Sequence, residues 1–182
     1  MDRKLSYRIA LISALGVCTV AFVSGFIISK ELAVKFMDIG RNYLSKIHFS
    51  FAGIFINNLT AASIIFLGAI LFCLPSLISV SMNFMLIGVT LRLFGPEKGP
   101  LYFIVSLLPH GIFEIPAIIL SLVLSFHTAG LFIRKFILAE DIILSSELKS
   151  TALIFIKVVI PLLLVAALVE TSVTPLLMRL LK

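Results

Sequence analysis

The sequence predicts an all-α fold, a polytopic transmembrane helical bundle of about five spans with six as the alternative, and three observations predict it. Of 182 residues, 60% are hydrophobic and 13% charged, and the mean hydropathy is +1.20, which is more apolar surface than a water-soluble chain of this length can cover. The charges gather between long uncharged runs, each near or above the roughly 20 residues that one helix needs to cross a hydrocarbon core. The fourth of these runs holds a histidine and a glutamate among apolar neighbours. Residues 1–182 read as a single transmembrane helical domain.

The elements follow in order. Arg3, Lys4 and Arg8 precede the uncharged stretch Ile9 to Ser29, whose apolar length exceeds that of a signal-peptide core, so it is expected to stay as an anchor. Lys30 to Phe49 alternates charged residues with Ala33, Phe36, Met37, Tyr43, Leu44 and Ile47 at near-helical spacing, the pattern of an amphipathic helix lying along the headgroup layer. No charge appears across Ile47 to Leu91, twice what one helix needs. Pro75 divides this run into a second helix, Ser50 to Leu74, and a third, Ser76 to Leu93. The polar turn Phe94 to Pro100 closes the third.

The fourth region, Leu101 to Ile133, is too long for an untilted helix and is interrupted by Pro109 and Pro116. A broken helix is expected at the motif Pro109-His110-Gly111-x-x-Glu114, with Pro109, Gly111 and Pro116 making the break. Either one kinked helix crosses, or Leu101 to Leu108 forms a short re-entrant arm and a full helix opens near Pro109. The second is preferred, because proline at a helix opening loses no hydrogen bond it would otherwise make. Arg134 to Ser150 reads as a second amphipathic connector, and Thr151 to Val173 as the last span, bent at Pro161 and carrying Lys157 and Glu170.

The formal charge of +6 is spread over span ends with no aromatic ladder between the basic residues. Its counter-charge is therefore the lipid bilayer, and no nucleic acid is expected as a partner. Cys18 and Cys73 fall in apolar runs without CxxC spacing and read as small core residues. No HExxH, phosphate loop or nucleophile elbow is present, and no cofactor is expected.

The helix faces carry the functional signal. At 100° per residue, His110, Glu114, Ser121 and Thr128 form one polar stripe; Ser79, Asn83 and Thr90 form another; Gly53, Asn57, Thr60 and Gly68 line one side of the second helix. These faces are expected to meet in the interior, where small residues permit close approach. A carboxylate at a span centre costs roughly 2.5 to 3.5 kcal/mol even on the lenient insertion scale, so Glu114 and Glu170 are candidates for function. The expected polar centre is His110, Glu114, Glu170, Asn57, Asn58 and Asn83, with Glu114 bonded by Asn57 or Asn58 and by His110. His110 and Glu114, four residues apart, could share a proton or, with Glu170, form a weak metal set. His48 and His127 are placed near predicted interfaces.

Asn57-Asn58, Gly68, Asn83, Gly88, Pro109-His110-Gly111 with Glu114 and Pro116, and Glu170 with Thr174-Pro175 together resemble the pattern of the stage II sporulation protein M family. The likeness runs from about Asn57 to Pro175, and its most specific piece is PHGxxE. Phe84 departs from it, standing where the family is expected to carry glycine. The resemblance implies a polytopic membrane protein. The namesake helps to assemble a complex with cell-wall hydrolases during engulfment, but relatives occur in organisms that make no spores, and this chain carries no hydrolase domain. The resemblance therefore implies the membrane bundle and its polar centre, not sporulation.

Three functions follow as expectations. The first is a non-enzymatic membrane scaffold or assembly component of the cell membrane, multi-pass, meeting other membrane or cell-envelope proteins or a second copy of itself as a homo-oligomer. The second is a small-solute or proton-coupled transporter using the His110–Glu114 pair at a broken helix. The third is a metal-dependent intramembrane enzyme, for which the motif supplies too few ligands.

Overall fold

Five helices are long and apolar enough to cross a membrane: Lys4–Ile27, Phe51–Leu71, Leu74–Pro96, Gly111–Ile137 and Leu144–Leu177. They are spans one to five, the number expected. The computed structural model describes residues 3–44 and 49–180, and their side chains except at 3, 43, 44, 97, 98, 100–103, 106–108, 110, 178 and 180. His48 lies outside the described residues, as does the side chain of His110. The elements are α1 (Arg3–Ile27), α2 (Lys30–Leu44), α3 (Phe51–Leu67) with a 3₁₀ turn at Gly68–Leu71, α4 (Leu74–Phe132), a π turn at Ile133–Ile137, α5 (Leu144–Ile154), a π turn at Phe155–Val159, and α6 (Ile160–Leu180). No strand occurs among the described residues.

Local chemistry explains several boundaries. Ser50 caps α3, its hydroxyl accepting from Gly53 N at 3.1 Å. The turn into span three passes through Phe72 (φ 50) and Cys73 (φ 63), a left-handed pair unfavourable for residues with a Cβ. Cys73 N donating to Gly68 O at 2.9 Å closes the turn, and Pro75 opens the next helix at its first turn, where the missing N–H is no loss. Pro75 is thus the divider its position suggested.

Two expected boundaries move. The helix does not break at PHGxxE: α4 runs from Leu74 to Phe132, and its one residue with non-helical dihedrals is Gly99, at φ 80 and ψ 162. Gly99 is free to take that positive φ, and Pro100 behind it is suited to a helix start, so the pair outcompetes Pro109 as the opening of the second limb. No re-entrant arm precedes Pro109. Pro109 and Pro116 each free one carbonyl within a continuous helix, which membrane helices tolerate when neighbours supply contacts.

The last span also starts earlier than expected, at Leu144, because α5, the π turn and α6 follow one another without a gap. Only Leu138 to Ile143 is left as the non-helical part of the connector. The π turn at Phe155–Val159 lies directly before Pro161, whose ring would crowd the carbonyl of Lys157 in an ideal helix. Lys157 is exposed on this turn.

Span four is the pillar of the bundle: 61% of its most apolar window is buried, against 22–33% for the other four. Ile118, Leu122 and Val123 pack on Ala10, Ala14, Cys18 and Ala21 of α1, with Ile65 and Val80 in the same cluster. Ala117 and Leu124 pack on Ala62 of α3 and on Phe155, Val159 and Leu163 of span five. Phe84 is buried in the first cluster, filling with an aromatic ring the place where glycine was expected. The backbones of spans one and three approach closely where glycines face them. A Cβ on Gly25 would stand 2.2 Å from Met85 O, and one on Gly88 would stand 2.2 Å from Phe22 O. Large apolar side chains such as Ile12, Val20, Ile56, Ile70 and Leu168 point outward, as the hydrocarbon face of a membrane protein requires.

Candidate functional site

Pairings across the chain assign the two ends of the bundle. Ser6 meets His127 and Cys73 meets Ser125, so one end holds the start of α1, the turn between spans two and three, the end of span four and the start of span five. Arg92 donates to Phe26 O at 2.9 Å, placing the end of α1 and the end of span three at the other.

Glu114 and Glu170 belong to this second end. His127 approaches Glu147 near one end of spans four and five, and Ala117 packs with Leu163 further along, so the two spans run antiparallel. Glu114 lies one turn before Ala117, and Glu170 one turn after the wholly buried Ala166 and Ala167. The antiparallel packing thus puts both carboxylates at the same end of spans four and five. Neither has a hydrogen-bond partner among the described residues. Glu114 therefore does not receive the expected bonds from Asn57 or Asn58. The backbone of His110 is helical, one turn before Glu114.

The asparagines form a separate group. Asn57 Nδ2 donates to Asn58 Oδ1 at 3.2 Å, and Asn83 Nδ2 donates to Ser79 O at 2.8 Å. Asn58 is buried. Asn57 and Asn83 line, with Thr60, Ser79, Phe36 and Gly40, a cavity of about 320 Å³ between α2, α3 and the first limb of α4. The two stripes do face one another, but beneath α2 rather than against span four. Hydroxyls of the three stripes bond along their own helices: Thr60 to Ile56 O, Thr90 to Leu86 O and Ser121 to Ala117 O, each at 2.7–2.8 Å. A carbonyl four residues back is always within reach, so it competes with any partner on another helix. Ser76 bonds across helices: its hydroxyl lies 2.6 Å from Ile65 O and 2.8 Å from Ser125 Oγ and so ties spans two, three and four together.

A third polar group was not anticipated. His127, expected near an interface, is 2% exposed. Its Nδ1 lies 2.8 Å from Ser6 Oγ, its ring stacks on Tyr7 with centroids 4.0 Å apart and planes 14° from parallel, and its Nε2 is 3.9 Å from Glu147 Oε2. Beside it opens a pocket of about 350 Å³ lined by His127, Arg134, Asp141, Ser146 and Glu147. Glu140 closes the connector by accepting from Arg134 Nε at 2.8 Å, and this guanidinium holds the Glu140 carboxyl below its ordinary 4.5. The sequence did carry a signal: His127 sits two turns inside the charge-free run that ends at Arg134. Its partner Ser6 lies 121 residues away, and no spacing rule connects them.

Among the described residues no group of three His, Cys, Asp or Glu side chains is placed to hold a metal ion.

The family model for stage II sporulation protein M matches residues 10–175. An uncharacterised protein of Methanocaldococcus jannaschii is 32% identical over 177 residues, covering 92% of this chain and 95% of that protein. No solved structure matches the chain.

Proposed function

The chain belongs to the stage II sporulation protein M family, and from that premise we propose that it is a non-enzymatic, multi-pass scaffold of the cell membrane, a rigid component around which other membrane or cell-envelope proteins assemble. The observation that supports this reading is the backbone at the PHGxxE motif. A carrier with a midplane site typically exposes half-helix ends there, because their unpaired N–H and C=O groups hold the ion. Here α4 runs unbroken through Pro109–Pro116. The packing around it favours rigidity as well: the glycine contacts between spans one and three leave no room for a Cβ, and Ser76 ties three spans at one point.

The competing reading rests on Glu114 and Glu170, intramembrane carboxyl groups of the kind a proton-coupled carrier would use. Purified protein in liposomes loaded with a pH-sensitive dye separates the two. Under the scaffold reading, wild-type, Glu114→Gln and empty vesicles dissipate a proton gradient at one rate. Wild-type flux several-fold above empty vesicles, lost in Glu114→Gln, would replace the scaffold by a carrier.

A further inference from the structure

We propose that the cleft between the end of span one and the end of span three is a binding site for the phosphate of an anionic phospholipid, held by Lys30 and Arg92. This inference is independent of the scaffold reading.

The cleft has a volume of about 680 Å³ and is lined by Phe26, Lys30, Leu91, Arg92, Leu93, Gly95 and Pro96, a size within the range of small-ligand sites. Its two cations are left over after local pairing. Arg92 spends one N–H on Phe26 O at 2.9 Å, a carbonyl near the end of α1 that has no partner along its own helix. A guanidinium has five donors, so most of its hydrogen-bonding capacity remains. Glu31, the acid next to Lys30 in sequence, is engaged by Lys35 at 3.0 Å. Neither Lys30 nor Arg92 has an acidic partner among the described residues. Two uncompensated positive charges converging on one cleft call for an anion with several acceptor oxygens, and a planar guanidinium fork beside an ammonium suits phosphate.

The surroundings choose the source of that phosphate. Phe26 and Arg92 stand at the ends of spans one and three, the level at which lipid headgroups lie. The rest of the wall is Phe26, Leu91, Leu93 and Pro96, apolar surface that an inorganic anion cannot use but that the glycerol and upper acyl chain of a lipid can cover. The headgroup phosphate thus sits between Lys30 and Arg92, with its chains against span three.

Native mass spectrometry of the full chain released from detergent, with phosphatidylglycerol, phosphatidylcholine or inorganic phosphate added, tests this. Wild type retains one phosphatidylglycerol at least tenfold better than phosphatidylcholine. Lys30→Glu and Arg92→Gln each reduce that retention about tenfold, while Arg179→Gln, a cation at the far end of α6, leaves it unchanged. Thermal unfolding run in parallel shows that the variants are folded, and Lys30→Glu, on an exposed residue, stays informative if Arg92→Gln loosens α1. Equal retention of the two lipids, or retention unaffected by Lys30→Glu in folded protein, overturns the site. Inorganic phosphate binding through Lys30 and Arg92 without lipid preference overturns the lipid assignment.

Discussion

Ser6 Oγ lies 2.8 Å from His127 Nδ1, a bond that fastens the start of α1 to the far end of span four across 121 residues of sequence. Together with the Tyr7 stack it makes His127 the joint between the first span and the pillar. His127→Ala removes the bond and the stack and leaves a void, so a loss of about 2–3 kcal/mol is expected, of which the single interhelical bond supplies under about 1 kcal/mol. His127→Phe keeps the ring on Tyr7 and recovers more than half of that loss. Thermal unfolding in detergent measures both, and equal midpoints for His127→Ala and wild type would remove the joint.

The glycines of spans one and three predict a contrast. Gly88→Ala places a Cβ 2.2 Å from Phe22 O, a backbone atom that cannot step aside, so the spans must separate, at about 1–3 kcal/mol. Gly16→Ala, with nothing within 4 Å of the added carbon, is expected to be neutral or slightly stabilising, since alanine is the better helix former. A midpoint of Gly88→Ala at or above that of Gly16→Ala would show that the contact between these spans is not tight.

Glu114 and Glu170 stand at the same end of spans four and five without a hydrogen-bonded partner among the described residues, so replacing a carboxylate by an amide lowers the cost of burial and breaks no bond seen there. Glu114→Gln is expected to be as stable as wild type or more so, by up to about 1 kcal/mol, and Glu114→Gln combined with Glu170→Gln to gain less than the sum of the single changes. A loss of 2 kcal/mol or more in Glu114→Gln would mean that the carboxylate is held by a specific partner.

Acid should loosen the connector at the other end. Arg134 holds Glu140 below its ordinary 4.5, so the folded state binds this proton less readily than the unfolded one. The stabilisation is fully present above pH 4.5 and fades as the pH falls below it, through the lowered value. A spin label at Ser145, exposed beside the connector, in a protein with Cys18 and Cys73 replaced by alanine, reports this. Its mobility is expected to rise as the pH falls below 4.5 in the parent and to be already high at pH 7 in Arg134→Gln. Unchanged mobility down to pH 3 would show that the pair does not order the connector.

The spans were legible because bilayer thickness imposes a length and a composition on any crossing helix, and the uncharged runs carry both. The division at Pro75 was legible because proline, a left-handed turn and a helix start coincide there. The motif at Pro109 misled for a related reason: proline marks where a helix can begin, but Gly99-Pro100, with the one positive φ inside α4, is a stronger start that a polar turn disguised. The candidate site was legible as residue types and not as an arrangement. Helical spacing puts Asn57 and Asn83 on facing stripes, yet it cannot say that α2 roofs them while span four takes its neighbours elsewhere. Ser6–His127 and Lys30–Arg92 depend on which helix lies beside which, information that resides in packing rather than in any local pattern.

The π turn at Phe155–Val159 does more than make room for Pro161. It absorbs one extra residue in span five, and in its absence Glu147 and Glu170 would stand about 140° apart around the helix axis, whereas with it they fall within about 40° of one another. This one looped-out residue sets the phase that lets an acid at each end of the span address the same neighbouring helix. Deleting Val158 would take out the extra residue and restore regular winding, and the 22 steps then left between the two acids keep them within the same roughly 40°.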